Sequence, residues 1–141
     1  MKYFIIVIII VLEIFACRFQ RGGSPDRVFV IQEIKMNDSV SFFWFKVTGD
    51  ALGHALNYFQ FASDKCNLSE KKANANCDLA YQIFNVDKDT VFILTQTEII
   101  TTRFDNKLSI KAERYTPEKF DLKKGPSKMK QYYLDSVCNN Y

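Results

Sequence analysis

Residues 40–47 read Val-Ser-Phe-Phe-Trp-Phe-Lys-Val. Successive side chains of a strand point to opposite faces, so Phe43, Phe45 and Val47 share one face and Phe42 and Trp44 share the other. Neither face is polar. A strand that is apolar on both faces is central in its sheet or lies beneath a cover. The composition agrees with a β-rich chain. Aromatic residues make up 15%, with thirteen Phe and seven Tyr, and aromatic rings favour strands over helices.

On the N-terminal side, Val28 to Ile34 predicts a strand, followed by a turn at Met36-Asn37-Asp38-Ser39. On the C-terminal side, Thr48 to His54 carries Gly49 and Gly53. A phosphate-binding loop would need a lysine and a following helix, so these glycines read as turn residues. Ala55 to Ala62 predicts a third strand, with Phe59 and Phe61 on the Asn57 side and Leu56, Tyr58 and Gln60 opposite.

Leu79 to Val86 and Thr90 to Thr97 predict a hairpin around Asp87-Lys88-Asp89. Ile99 to Phe104 and Lys107 to Glu113 predict a second one around Asp105-Asn106, with Leu108, Ile110 and Ala112 facing inward. Thr116 to Ser127 is a basic, proline-containing connector. Met129 to Cys138 predicts a short C-terminal helix, with an edge strand as the alternative.

Six or seven short strands at this spacing predict an all-β, mostly antiparallel fold. The leading form is a small β-sandwich of immunoglobulin-like type, and the alternative is an open β-barrel of lipocalin-like type.

The N-terminus carries an address. Lys2 precedes an unbroken apolar run, Tyr3 to Leu12, and then Glu13-Ile14-Phe15-Ala16-Cys17. Ten apolar residues suit a signal-peptide core and are about half of what spans a bilayer. Ile14, Ala16 and Cys17 resemble the lipobox of bacterial lipoproteins, with Phe15 standing where a small residue is usual. The resemblance implies lipidation of Cys17 by a diacylglyceryl group and anchorage in the cell envelope, the bacterial outer membrane foremost. Secretion after cleavage of an ordinary signal peptide is the alternative. Residues 1–16 then form the signal peptide, and residues 17–27 hold the lipidated cysteine and a linker centred on Gly22-Gly23-Ser24-Pro25. Residues 28–141 form one β-rich domain.

The net charge of +3 is small and does not point to nucleic acid. Seven basic residues between Lys111 and Lys130, interleaved with Tyr115 and Phe120, suit a solvated connector; anionic lipid headgroups are the functional alternative.

Export permits disulfides. Cys66 and Cys77 flank a polar loop, and their pairing would contribute on the order of 3 kcal/mol. If Cys17 is lipidated, Cys138 is left over, and parity counts slightly against lipidation; if it is not, Cys17 and Cys138 could pair and tie the two ends together. His54 is the single histidine, so neither a zinc site nor a hydrolase triad is expected. Asp87 and Asp89 read as turn residues rather than calcium ligands, and Glu98 and Glu113 as exposed rather than a catalytic pair. Asn37 and Asn67 open glycosylation sequons that matter only in a eukaryotic secretory setting.

No catalytic residue, metal or cofactor is expected. The reading is a non-enzymatic binding or structural module, held at a membrane through Cys17, with a protein or other envelope partner. A secreted carrier of an apolar ligand is the alternative. Trp44 belongs to the core in this reading; its functional alternative is an exposed ring that stacks on a ligand.

Overall fold

The computed structural model describes residues 27–48, 56–103 and 107–138. The signal peptide, Cys17, the glycine linker, His54 with its two glycines, and the Asp105-Asn106 turn lie outside the described residues. Nine strands run through them: β1 (Arg27–Lys35), β2 (Ser41–Thr48), β3 (Asn57–Ala62), β4 (Ala75–Cys77), β5 (Ala80–Asp87), β6 (Thr90–Thr95), β7 (Ile100–Thr101), β8 (Ser109–Arg114) and β9 (Tyr132–Tyr133). A single helical turn, α1 (Asp135–Cys138), follows β9.

The strands form two sheets, ordered β7-β4-β3-β2-β1-β9 and β5-β6-β8. All pairings are antiparallel except β6 with β8. This is the all-β sandwich that the sequence predicts, without a closed barrel among the described residues. The strands divide six and three, where an immunoglobulin constant-type domain divides four and three.

The aromatic stretch forms β2, between β1 and β3. Its two greasy faces serve two different cores. Phe42 and Trp44 face the smaller sheet, together with Phe59, Ile83, Val91 and Ile93. Phe43 and Phe45 face away, beneath Leu68, Ala73 and Leu134. The second face is therefore covered by two irregular pieces, the 63–74 loop and the C-terminal segment. The strand is both central and covered. Removing such faces from water is the main source of stability here, at about 1.5–3 kcal/mol for each large side chain.

The β1–β2 turn is held by Asn37, whose Oδ1 accepts from the N–H groups of Ser39 and Val40, both at 2.9 Å. A bulge interrupts β1. Val30 opposes Phe45 and Gln32 opposes Trp44, so Ile31 is an extra residue. The bulge brings both Ile31 and Gln32 to the face between the sheets.

The covers are stapled to each other. Cys66 pairs with Cys138, not with Cys77 as expected. The reason is geometric. Cys77 ends β4 pointing into the core between the sheets, whereas Cys66 belongs to the cover on the opposite face, where Cys138 packs. The six-stranded sheet stands between two cysteines that are close in sequence.

The second predicted hairpin is also corrected. Its first arm contributes β7, which pairs with β4. Its second arm becomes β8 and runs parallel to β6, from Thr90 opposite Ser109 to Thr95 opposite Arg114. The Ser109 N–H donates to the Asp89 carbonyl at 2.8 Å, and the Tyr115 N–H donates to the Thr95 carbonyl at 3.1 Å. These bonds fix both ends of the parallel pair. Leu108 and Ile110 pack against the core as expected, but Ala112 is exposed. The first hairpin, β5 to β6, forms as predicted.

Candidate functional site

Between β4 and β5 the chain crosses from one sheet to the other. Asp78 and Leu79 make the crossing, and three side chains brace it. Asn57 Nδ2 donates to the Asp78 carbonyl at 2.7 Å. The Thr97 hydroxyl accepts from the Leu79 N–H at 3.0 Å. The Thr95 hydroxyl donates to the Leu79 carbonyl at 2.5 Å. The sheets do not close fully around this crossing. A cleft of about 450 Å³ opens there, floored by Phe29, Ile31, Trp44 and Asn57 and walled by Tyr81 and Phe120. Pockets that hold small molecules run from about 300 to 1,000 Å³.

Trp44 is 3% exposed. Its indole N–H donates to Asn57 Oδ1 at 2.8 Å, so the polar end of the ring is satisfied internally. The ring belongs to the core and also lines the cleft. The two readings of this residue meet in one position.

Lys46 lies on the same side of β2, opposite Phe29 in the adjacent strand. It is half-buried and forms no ion pair among the described residues. An apolar cleft with one unpaired ammonium group suits a small apolar ligand, most readily one that carries negative charge.

Sequence reasoning missed the wall supplied by the connector. Phe120 looked like part of a solvated basic segment. It turns inward instead, packs 6.2 Å from Tyr115 and lies so close to Gly125 that a Cβ there would stand 2.7 Å from the ring. The juxtaposition of Phe120 and a glycine five residues on is the available signal.

Of the other expectations, Glu98 is exposed as expected, whereas Glu113 is partly covered and pairs with Lys119 at 2.9 Å. Cys77 is a free thiol, 2% exposed. Burial pushes it above its ordinary value, opposed by the hydroxyls of Thr95 and Thr97. A protonated, buried thiol is a poor nucleophile. Among the described residues, no group of three or more His, Cys, Asp or Glu side chains comes together.

The buried polar side chains serve structural ends. Gln32, Gln60 and Gln82 each use both ends of the carboxamide on the backbone of a different segment: Ile83, the Asn67–Ser69 loop and Asp121 respectively. Set against known protein families, characterised proteins and solved structures, the chain matches none.

Proposed function

We propose that this protein is a lipid-anchored, non-enzymatic binding module of a bacterial cell envelope, tethered through acyl chains on Cys17. The observation that carries this reading is the disposition of the cysteines. Cys66 and Cys138 pair with each other and Cys77 is enclosed in the core. Pairing Cys17 within the chain would require breaking that bond or opening the core. With Cys17 lipidated the odd cysteine is Cys77 rather than Cys138, and because it is enclosed in the core no exposed thiol is left over.

The buried amides and hydroxyls are occupied in holding segments together, which favours a scaffold over a catalyst. The side chains packed between two open sheets, rather than a closed barrel among the described residues, weigh against a barrel-type carrier. The cleft beside Trp44 and Lys46 is where a ligand of the module would be sought.

Fractionation of cells tests the anchor. Wild-type protein should partition with membranes, and Cys17→Ala should shift it to a soluble or precursor form. The intact mass of the mature N-terminal peptide should include the diacylglyceryl group, since two or more chains are needed for stable anchoring. Wild-type protein that is soluble without detergent, with an unmodified Cys17, overturns the proposal.

A further inference from the structure

We propose that residues 116–131, the connector together with the stretch from Lys128 to Gln131 that follows it, are a docking surface for an anionic lipid bilayer, with Leu122 entering the interface and Lys123 and Lys124 meeting the phosphates. Charge provides the first argument. Lys119, Lys123, Lys124, Lys128 and Lys130 stand against Glu118 and Asp121, which leaves this segment at +3, the net charge of the whole chain. The remainder is balanced. The positive charge is therefore concentrated in one short stretch, and basic residues near an anionic surface each add to the attraction.

The second argument is the position of Leu122, which is 75% exposed, the most of any large apolar side chain among the described residues. Its exposure is imposed by a folded loop. The Lys124 N–H donates to the Asp121 carbonyl at 3.0 Å, closing a turn with Leu122 and Lys123 at its corners. The Asp121 N–H is itself held at 3.2 Å by the buried carboxamide of Gln82. Phe120, on one side of the turn, packs inward against Gly125. The loop thus has its inward apolar anchor already, and Leu122 is presented outward between Asp121 and two lysines.

The Asp121 carboxylate accepts from the Lys123 N–H at 2.9 Å and keeps its charge, and Lys119 is paired with Glu113 from outside the segment. Lys123, Lys124, Lys128 and Lys130 form no ion pair among the described residues.

Further along, the same segment leads into β9 and α1, beside the start of β1. The Arg27 guanidinium meets the Asp135 carboxylate at 2.7 Å, and the Leu134 N–H donates to the Val28 carbonyl at 2.8 Å. A tether from Cys17 would reach the domain at this strand. That last point rests on the lipoprotein reading; the charge and the exposed leucine do not.

The test uses residues 17–141 with Cys17→Ser, which retain every described strand, both cores and the disulfide but cannot carry lipid. Its outcome is therefore separable from the lipidation test. Sedimentation with phosphatidylcholine vesicles, with and without phosphatidylglycerol, reads the docking. The chain should bind only the vesicles that contain phosphatidylglycerol, and less as salt rises. Leu122→Asp, and separately Lys123→Glu with Lys124→Glu, should each weaken binding by about tenfold or more without moving the melting temperature. Lys71→Glu with Lys72→Glu, an exposed pair on the 63–74 cover, should weaken it far less. No binding, binding indifferent to phosphatidylglycerol, or equal loss in the Lys71/Lys72 variant overturns the proposal.

Discussion

The carboxamide of Gln32 donates to the carbonyl of Ile83 at 2.8 Å and accepts from the N–H of the same residue at 3.1 Å. One side chain in the larger sheet thereby completes the hydrogen bonding of a peptide at the edge of the smaller one. It takes the place of a strand that is not there. Both groups are buried, so losing the amide leaves two backbone groups unsatisfied. Gln32→Ala should cost about 2–4 kcal/mol by chemical denaturation. Gln32→Glu should acquire a pH dependence that the wild type lacks at this position. Its protonated form donates to the carbonyl, whereas its carboxylate is buried and opposed by that oxygen. The folded pKa of the new carboxyl is then raised, and stability falls as pH rises through the carboxyl range. A loss under about 0.5 kcal/mol for Gln32→Ala would mean that water replaces the amide without penalty.

Peptide mapping without reduction should recover Cys66 linked to Cys138. Their separation of 72 residues puts the loop-entropy contribution at about 4 kcal/mol, more than the short ring predicted from sequence would give. Cys66→Ser should lower stability by up to that amount. Cys77 should react with a thiol reagent only on unfolding, since burial keeps it both hidden and protonated. A Cys66–Cys77 peptide in protein from its own compartment would overturn the assignment.

Trp44 should emit at short wavelength and resist quenching by iodide. Trp44→Ala should cost about 3–5 kcal/mol. Trp44→Phe should cost less, about 1–2 kcal/mol, because the ring is partly replaced while Asn57 loses its donor. Free quenching in the unliganded protein, with an unmoved melting temperature for Trp44→Ala, would remove the ring from the core.

Tyr132 supplies an alkaline limit to stability. Burial first, then the nearby Glu33 carboxylate, pushes its phenol from 10.0 up to about 12. Its hydroxyl lies 3.4 Å from that carboxylate. In the unfolded chain the phenol ionises near its ordinary value. This contribution is therefore intact below pH 10 and is lost as pH rises toward 12. Ultraviolet titration should show the Tyr132 phenol ionising late, with Tyr58, raised by burial and by Glu70, also above its ordinary value; Glu33→Gln should bring the Tyr132 transition down part of the way. Simultaneous ionisation of all six tyrosines of residues 17–141 near the ordinary value would contradict this environment.

Side-chain alternation carried much of the architecture. It assigned Phe42 and Trp44 to one face and Phe43 and Phe45 to the other, which is the division between the two cores. It also found the strand that became β8. It could not identify that strand's neighbour, because alternation reports which way a side chain points and carries no information about edge partners. Leu108 and Ile110 are compatible with an antiparallel return to β7 and with the parallel run along β6 that is present. β4 was hidden because three residues, Ala75 to Cys77, are too few to show a period. The predicted helix over 129–138 divides into β9 and one helical turn, with Leu134 buried between them. The cleft was half legible. Trp44 was singled out, and Lys46 follows it on the same face of β2 by alternation, but the crossing at Asp78 and the inward turn of Phe120 are long-range.

The bond between Cys66 and Cys138 also sets an order of events. Cys138 follows every described strand in the chain. In a polypeptide that crosses a membrane N-terminus first, Cys66 emerges long before its partner, and Cys77 arrives only eleven positions later. The nearer thiol is thus the early competitor, and an oxidant meeting the emerging chain would join the wrong pair. Packing of β4 into the space between the sheets withdraws Cys77 from that competition. Correct oxidation then depends on the sheet forming before the thiols are consumed, and the closed bond becomes a chemical record that all nine strands have crossed.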